Sequence, residues 1–344
     1  MRRSPTTPVD SGRLLELVDR FAGLRTAVFG DLIVDEFIYG DIARVSREAP
    51  VLILNYDSTQ IVPGGAGNAA SNVAALGGAA SLVGVVGQDE TGRRLLDELR
   101  DHVDVRGVVR PRAFRTPTKT RILAGGIHSA KQQVVRIDRA AGPQPGDAYQ
   151  RAIASKLLHA VVSCDALIAS DYGSGLVTPA LVSAAQKALR RRGGQAAPVL
   201  VDSRYALLRF RGMTTCTPNE SEVEQLFGVR IGENLRVLER VGRALQKRTR
   251  ASAVLITRGS RGMALFEPDR ATVHIPIVGS DQIADVTGAG DTVIATMTLA
   301  LAAGASFLEA AHLANHAGGI VVMKRGTATV SANELRQAVL TGRE

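Results

Sequence analysis

The stretch Asp285-Val-Thr-Gly-Ala-Gly-Asp291 leads directly into Thr292–Ala303, a run that contains no charged side chain. Because this run is apolar on nearly every side, it predicts a helix that is buried all round. The N–H groups of Gly288, Ala289 and Gly290 would lie at its start, where they lack acceptors within the helix and the helix dipole is positive. Small residues let an anion come close, so the stretch predicts an anion hole for a transferring phosphoryl group.

Asp291 would lie in the first turn of that helix, beside the predicted anion. A carboxylate there has a use if it takes a proton from an attacking hydroxyl, which makes Asp291 a candidate general base. The alternative is that Asp285 or Asp291 only stabilises the helix, because acids are favourable at a helix N-terminus.

Length and composition limit the remaining possibilities. The chain has 344 residues, of which 45% are apolar and 22% are charged, and this argues against disorder. No uncharged apolar stretch is long enough for a transmembrane helix, and no apolar segment follows the basic N-terminus, so we expect a cytoplasmic protein. We expect residues 1–12 to form a disordered tail. Cys164 and Cys216 predict two buried thiols rather than a disulfide framework.

The charge balance favours an anionic partner. The net charge is +9, which suits either nucleic acid or a phosphorylated small substrate. The chain has no Trp, and aromatic residues make up 4%, so platforms for base stacking are scarce. We therefore expect neither a nucleic-acid nor a membrane partner. The sequence also lacks a Gly-Lys dipeptide, which excludes a Walker A loop.

Alternating elements predict the fold class. From about residue 150, strand-like runs such as Ala166–Ala169 and Val199–Asp202 alternate with helical patterns, which predicts a parallel sheet flanked by helices. Two β-rich pieces, about 38–62 and 114–139, interrupt this alternation. We expect them to form one small sheet, a candidate lid, on a single domain that covers residues 13–344.

A second glycine-rich segment, Gly64-Gly-Ala-Gly-Asn68, is open to two interpretations. Gly65, Gly67 and Ala70, with Asp89 some twenty residues further on, form a weak dinucleotide fingerprint. Alternatively, the glycines let a sugar approach the backbone while Asn68 offers it a donor and an acceptor.

Three further segments carry candidate binding residues. Asp31 follows the first predicted strand at the edge where open α/β sheets bind ligands, unless it only forms a turn. Asn219 and Glu222 predict either a capping box or, for Glu222, a contact with Mg²⁺ through water. The turn Thr257–Gly262 suits a hairpin or one wall of an adenine-nucleotide pocket.

These segments, in this order, resemble the PfkB or ribokinase family of sugar kinases over roughly residues 20–335. Gly64–Asn68 resembles the first family signature and Asp285–Asp291 the second. Within the family the sequence is most similar to the heptose-7-phosphate kinase branch. The segments that carry this likeness are Gly30-Asp31 with Asp35, Tyr39-Gly40, Arg44-Val-Ser46 before Glu48-Ala-Pro50, Thr118-Lys-Thr-Arg121, Gln132-Gln-Val-Val-Arg136, Ser170-Asp-Tyr172, Thr217-Pro-Asn219 and Asp285–Val293.

The resemblance implies a ribokinase-like three-layer α/β/α sandwich with a mainly parallel central sheet and a β-sheet lid that often mediates a homodimer. It implies ATP and Mg²⁺, with Asp291 as base and the Gly288–Gly290 amides as anion hole. The heptose branch implies transfer to O1 of D-glycero-β-D-manno-heptose 7-phosphate, giving the 1,7-bisphosphate. Such kinases are often fused to an adenylyltransferase domain. This chain has no room for one, so we expect a separate adenylyltransferase as pathway partner.

The resemblance also assigns binding residues. Several basic side chains fall in the two lid pieces, where they would clamp a sugar phosphate unless they are solvated or lie in a dimer contact. The sugar phosphate is expected to contact Asp31, Asp35, Arg44, Gly64, Gly65, Asn68, Lys119, Arg121, Gln133, Arg136 and Asp171. The nucleotide is expected beside Asn219, Glu222, Thr257, Gly259, Gly262 and Asn315. A monovalent cation, usually K⁺, would lie beside Asp285 and Thr287.

The sequence departs from the heptose branch at four places. Ser174 stands where the branch has lysine, Asp202-Ser-Arg-Tyr205 replaces Asp-Pro-Lys-Gly, and Arg47 stands where proline is usual. An insertion lies around Gly125–Ser129, and Arg204 is a candidate substitute for the missing lysine. These departures leave open a kinase for fructose phosphate, ribose or a nucleoside. Outside this reaction class, a nicotinamide-dependent oxidoreductase using Gly65–Ala70 and a non-catalytic sensor are the alternatives.

Overall fold

The structure is a computed structural model and describes residues 9–125, 131–140, 147–190, 196–278, 285–324 and 326–342. The strands are β1 (Arg25–Gly30), β2 (Leu32–Val45), β3 (Leu52–Gly65), β4 (Ala79–Val85), β5 (Val103–Val109), β6 (Thr118–Gly125), β7 (Gln132–Arg139), β8 (Ala166–Asp171), β9 (Val199–Ser203), β10 (Thr215–Cys216), β11 (Ala253–Thr257), β12 (Met263–Phe266) and β13 (Val273–Ile275). The helices are α1 (Ser11–Asp19), α2 (Ala66–Ala75), α3 (Glu90–Leu99), α4 (Asp147–Val161), α5 (Pro179–Arg190), α6 (Glu220–Phe227), α7 (Leu235–Thr249), α8 (Ala289–Ala302), α9 (Phe307–Val321) and α10 (Ala332–Thr341).

A mostly parallel sheet forms the middle layer. In the described residues its strand order is β13-β12-β11-β10-β9-β8-β1-β4-β5, and only the pairs that involve β12 are antiparallel. Strands such as β8 are buried at every residue, which is typical of a parallel sheet covered on both faces. The α/β class predicted from the alternating elements is therefore confirmed.

The two faces of this sheet carry separate hydrophobic cores. Along β1, Val28 belongs to the core beneath α2, α8 and α9, whereas Ala27 and Phe29 belong to the core beneath α4, α5 and α7. This alternation follows from side chains that point to opposite faces of a strand. Helix α8 is buried at ten consecutive residues from Asp291, so the predicted buried helix is confirmed, and its N-terminus is held at the edge of the first core.

The smaller sheet is built from the two predicted β-rich pieces. Its strand order is β3-β2-β6-β7, with β2 antiparallel to β3 and parallel to β6. Strand β2 begins at Leu32, immediately after β1, so the small sheet starts earlier than residue 38. Beyond Gly125, the insertion expected around Gly125–Ser129 lies outside the described residues.

The N-terminal tail ends earlier than predicted. Helix α1 begins at Ser11, and the Asp10 side chain caps it by accepting from the Gly12 N–H at 3.1 Å, so residues 10–12 belong to the helix. Residues 1–8 of the expected tail lie outside the described residues. Both cysteines are buried free thiols, as expected. Within the described ranges, no helix has the length and apolarity that crossing a membrane requires.

Candidate active site

A cavity of about 530 Å³ lies at the carboxyl ends of the parallel strands. Asp171 at the end of β8, Asp202 in β9 and Thr257 at the end of β11 line it from the main sheet. Residues Thr287–Asp291 at the start of α8 line it from one side, and β6 and β7 of the small sheet close another side. Crevices at this edge of an open α/β sheet are the usual ligand sites of such folds.

Asp291 is the most deeply buried carboxylate of this cavity, with 3% of its surface exposed. Its Oδ2 accepts from Asn68 Nδ2 at 2.8 Å, and its Oδ1 accepts from the Tyr172 hydroxyl at 3.2 Å. Burial raises the pKa of Asp291 to about 7, against the effect of these two hydrogen bonds and of Lys119. A carboxyl with that pKa exchanges its proton near neutral pH, which suits a general base.

The N-terminus of α8 supplies part of the predicted anion hole. The Ala289 N–H donates to Val286 O at 3.3 Å, so the prediction that all three amides from Gly288 to Gly290 are available is wrong for Ala289. The Ala289 N–H is already hydrogen-bonded within the tight turn that precedes the helix. The N–H groups of Gly288, Gly290 and Asp291 have no hydrogen-bond acceptor within the described part of the chain. Gly290 lines the cavity, and a Cβ at this residue would meet nothing within 4 Å.

Gly288 also brings the second motif against the first. Its φ of +79° lies in the left-handed region, and a Cβ there would come within 2.5 Å of Asn68 Nδ2. Glycine at this position therefore lets α8 approach α2 closely enough for Asn68 to reach Asp291.

Three basic side chains of the small sheet line the cavity. Arg121 pairs with the buried Asp35, and Arg136 pairs with Asp138 at 2.6 Å. The Lys119 ammonium lies 5.1 Å from the centre of the Tyr172 ring, and no described carboxylate lies within ion-pair distance of it. Burial lowers the pKa of Lys119. The three basic side chains thus form a basic wall of the cavity on the side of the small sheet, and side chains of this kind bind phosphate groups.

Other predicted sugar contacts lie elsewhere. Arg44 and Gln133 are exposed, and neither lines this cavity in the described structure. Both lie on strands whose far ends extend away from the main sheet. Gly64 packs against Asp35, since a Cβ there would come within 2.4 Å of its carboxylate, whereas Gly65 does line the cavity.

Asp31 and Asn68 are buried and bonded to protein rather than open to the cavity. Asp31 Oδ2 accepts from the Tyr172 N–H at 2.7 Å and from the Ser174 N–H at 3.3 Å, and Oδ1 accepts from the Ser174 hydroxyl. Burial raises the pKa of Asp31. Ser174, which replaces the lysine of the heptose branch, thus holds Asp31 in place. Asn68 acts on the site through Asp291, not through a direct opening to the cavity.

The nucleotide-side residues surround the opposite end of the cavity. Asn219 and Glu222 form the capping box of α6, with Asn219 N–H donating to Glu222 Oε2 at 2.9 Å, so the capping interpretation is confirmed. Glu222 nevertheless lines the cavity too, and burial raises its pKa. The remaining predicted nucleotide residues all line this end, namely Thr257, Gly259, Gly262 and Asn315.

The Thr217 hydroxyl also belongs to this end of the cavity. The Thr217 hydroxyl is buried, lines the cavity and makes no hydrogen bond within the described residues. A buried hydroxyl without a partner is costly in a folded protein, and a bound ligand would satisfy it.

Carboxylates concentrate between the two ends. Burial and repulsion from Glu222, Asp291 and Asp171 raise the pKa of Asp202 well above its usual range, and Arg204 opposes this effect. Such a cluster suits a divalent cation that is shared with phosphate oxygens. Among the described residues, no group of three His, Cys, Asp or Glu side chains is arranged to hold a metal alone.

Asp285 and Thr287 lie together at the turn before α8. Asp285 Oδ1 accepts from the Thr287 N–H at 2.9 Å, and Oδ2 accepts from the Gly326 N–H at 3.1 Å. Asp285 thus holds the turn before α8 through Oδ1 and ties it to the backbone of Gly326 through Oδ2.

The sequence analysis assigned no role to Tyr172. Tyr172 belongs to the segment Ser170-Asp-Tyr172 that carries the family resemblance, but only the structure shows that its hydroxyl donates to Asp291.

The interpretation of Gly65–Ala70 as a dinucleotide fingerprint finds no support, because Asp89 caps α3 and accepts from Thr116. The segment Gly65–Ala70 also follows a strand of the small sheet, not a strand of the main one.

A buried, ionisable carboxylate beside open backbone N–H groups is what transfer of a phosphoryl group to an alcohol requires. A sequence profile of the pfkB family carbohydrate kinases matches residues 27–334, so the chain belongs to this family and is a sugar kinase.

Curated relatives and solved structures agree with this assignment. The chain is 40% identical over 314 residues to the bifunctional protein HldE of Geobacter metallireducens, which covers 91% of this chain and 62% of the relative. It is 40% identical over 327 residues to the bifunctional protein HldE of Caulobacter vibrioides, covering 94% of this chain and 65% of the relative. The chain thus spans less than two thirds of these proteins.

Two solved structures share the fold. Arabidopsis thaliana ribokinase complexed with ribose and ATP superposes with a TM-score of 0.67 at 20% identity, covering 93% of this chain and 98% of that one. Phosphofructokinase-2 from Escherichia coli in complex with potassium superposes with a TM-score of 0.72 at 18% identity, covering 94% and 100%. The ribokinase-like fold expected from the sequence is confirmed.

Proposed function

We propose that this chain phosphorylates D-glycero-β-D-manno-heptose 7-phosphate at O1 with ATP, giving the 1,7-bisphosphate. The observation that carries the proposal is Asp291, a buried carboxyl with a pKa of about 7 that lines the same cavity as the start of α8 and the basic side chains of the small sheet. The wall of Lys119, Arg121 and Arg136 supports a substrate that already carries a phosphate. The resemblance of the sequence to the heptose-7-phosphate kinase branch selects the sugar.

In the proposed reaction Asp291 accepts the proton of the sugar hydroxyl as that oxygen attacks the γ-phosphorus. The Gly288 and Gly290 N–H groups stabilise the negative charge on the transferring phosphoryl oxygens, because they are fixed before the reaction begins. Lys119 and Arg121 hold the sugar phosphate so that the attacking hydroxyl stays near Asp291. Closure of the small sheet over the cavity would exclude water, which otherwise competes with the sugar.

ATP would bind at the end of the cavity lined by Thr257, Gly259 and Asn315, with the Thr217 hydroxyl as a further donor. Mg²⁺ bound to its phosphates would neutralise negative charge that develops during transfer. Glu222 and Asp202 are the carboxylates that would hold its waters. K⁺ beside Asp285 and Thr287 is a further proposal, since that turn fixes the start of α8.

The proposed assembly is a homodimer through the small sheet. Its strands expose large apolar side chains at Ile42, Val45, Leu52, Tyr56 and Val135. Apolar residues on a sheet that projects from the domain are typical of an interface. In the proposed pathway an adenylyltransferase activity would then act on the product, and the proposed location is the cytoplasm.

A substrate panel with ADP release as readout tests the proposal. It includes heptose 7-phosphate, fructose 6-phosphate, ribose and a nucleoside, each with wild type and with Asp291→Asn. We expect heptose 7-phosphate to give the highest kcat/KM, and the variant to lose at least ~100-fold in kcat while its affinity for ATP is kept. Turnover of another sugar in preference would refute the substrate, and an active Asp291→Asn would refute the base.

A further inference from the structure

The orientation of the Asn68 side chain matters for Asp291. An asparagine presents an N–H donor on one side and a carbonyl acceptor on the other. Asn68 Nδ2 lies 2.8 Å from Asp291 Oδ2, where its N–H stabilises the ionised carboxylate. If the side chain were flipped, its carbonyl oxygen would face the carboxylate and repel it.

Asn72, one turn further along α2, fixes that orientation. Its Nδ2 donates to the Asn68 backbone carbonyl and to Asn68 Oδ1, both at 3.0 Å. A backbone carbonyl only accepts, so Asn72 must turn its Nδ2 toward Asn68. Asn68 Oδ1 then accepts, and its Nδ2 faces Asp291 and, at the longer distance of 3.4 Å, the Gly288 carbonyl, which favours the same orientation.

Thr292 fixes Asn72 in turn. Its hydroxyl donates to Asn72 Oδ1 at 3.0 Å, and the next acceptor, Gly288 O, is further away at 3.4 Å. Thr292 and Asn72 are fully buried and Asn68 is 1% exposed, so water cannot readily replace a lost partner. The donors and acceptors therefore run in one direction, from Thr292 through Asn72 and Asn68 to the carboxylate of the residue that precedes Thr292.

We propose that Asn72 and Thr292 are positioning residues that hold Asn68 with its donor toward Asp291, and so keep the base ionised at neutral pH. The proposal rests on the proposed role of Asp291 as general base.

The pH dependence gives this proposal its specific signature. The Asn68 hydrogen bond lowers the pKa of Asp291 against the effect of burial, so its weakening would raise the pKa of Asp291 further above 7. The other polar or charged groups around Asp291 are Tyr172, Lys119, Asp35 and Asp202. None of them bonds to Asn72 or Thr292 among the described contacts, so they are common to the wild type and the variants.

The test compares Thr292→Val with two matched variants. Thr292→Val removes the hydroxyl at nearly constant volume, whereas Thr292→Ser keeps it. Thr298→Val is the matched control, because it removes a hydroxyl of α8 that is equally buried but bonds only Ile294 O. The kcat–pH profile is measured with heptose 7-phosphate, or with whichever panel sugar the wild type turns over fastest. Asn72→Ala is the second variant of the relay.

We expect Thr292→Val to move the acid limb of the profile upward by about 0.5–1 pH unit, which lowers kcat at pH 6 by about 3–10-fold and leaves it within about twofold at pH 9. Thr298→Val and Thr292→Ser should keep the wild-type profile. A purely structural role would lower kcat equally at every pH. That result, or an equal shift in Thr298→Val, overturns the proposal.

A measurement without substrate separates this proposal from the proposed function. The ¹³Cγ resonance of Asp291, assigned by its loss in Asp291→Asn, reports the pKa of the carboxyl directly. We expect the same upward shift in Thr292→Val and Asn72→Ala. If Asp291→Asn retains turnover, the base assignment fails while this titration still decides the relay. An unchanged titration in both relay variants refutes the relay even if Asp291 is the base.

Discussion

Asp291 makes the folded protein less stable above acid pH, so we expect Asp291→Asn to stabilise it in a pH-dependent manner. The pKa of Asp291 is about 7 in the folded protein, whereas an aspartate in an unfolded chain has a pKa of ~3.9. Below pH ~4 the carboxyl is protonated in both states and contributes no difference. Between these two pKa values only the unfolded state releases the proton, which favours unfolding, and above pH ~7 the effect is complete.

The size of the effect follows from the pKa difference. About three pKa units correspond to a destabilisation on the order of 4 kcal/mol at pH 8, and to ~1.5 kcal/mol at pH 5. Asparagine is nearly isosteric: its Oδ1 can accept from Asn68, and its Nδ2 can donate to the Tyr172 hydroxyl, which then acts as acceptor. The stability gained by Asp291→Asn should therefore be about 2–3 kcal/mol larger at pH 8 than at pH 5.

Urea unfolding of the wild type and the variant at both pH values measures this difference. Asp138→Asn is the control, because Arg136 holds the pKa of the Asp138 carboxyl below its usual range. That carboxyl is ionised in both the folded and the unfolded state at pH 5 and at pH 8, so any effect of this variant on stability should be equal at the two pH values. A gain of equal size at pH 5 and pH 8, or a variant less stable than wild type at pH 8, would show that the Asp291 carboxyl is not held at a raised pKa.

Two further substitutions address the two ends of the cavity. Lys119→Met should raise the KM for the phosphorylated sugar by about tenfold or more and leave the KM for ATP within about twofold, because it removes one cation from the wall proposed to bind the sugar phosphate. Steady-state kinetics measure both KM values, and an equal rise in KM for an unphosphorylated sugar would contradict this role. Glu222→Gln keeps an acceptor for the Asn219 N–H and hence the capping box, but loses the charge proposed to hold Mg²⁺ waters. The half-saturating Mg²⁺ concentration should rise about tenfold at an unchanged melting temperature, and an unaltered Mg²⁺ titration would exclude this role.

Local patterns in the sequence were enough to predict the elements that hold the site. The uncharged run after Asp291 predicts a helix that can only be buried, and the structure places it in the core. Asn219 and Glu222 predict a capping box from their spacing alone, since capping involves only neighbours in the chain. The alternation of helix and strand likewise predicts the parallel sheet, because short crossovers leave few other arrangements.

Such local patterns do not predict which side chains meet when the residues are far apart in the sequence. The sequence predicts that Arg44 and Lys119 bind the same phosphate because both fall in the small sheet, but the length of β2 carries Arg44 away from the cavity. Asn68 was predicted to bind sugar because its amide could serve any polar partner, and its choice of Asp291 depends on how α2 packs against α8. The sequence predicts a free Ala289 N–H because the first amides of a helix have no acceptor within it. In the structure this N–H bonds Val286 O, and such a turn hydrogen bond depends on backbone angles that the residue types do not determine.

The packing of α2 against α8 brings two signature segments that are more than 200 residues apart in the sequence into one hydrogen-bonded site. Helix α2 is buried at its first eight residues and most of them are small, so α8 can lie directly against it. That closeness places two asparagines of the first signature region beside Asp291 and Thr292 of the second. Burial thereby raises the pKa of Asp291, while the hydrogen bonds from Asn68 and Tyr172 lower it, and the result is a pKa of about 7. Burial alone would leave the carboxyl protonated and unable to act as a base, whereas the hydrogen bonds alone would leave it too weak a base to take a proton from an alcohol.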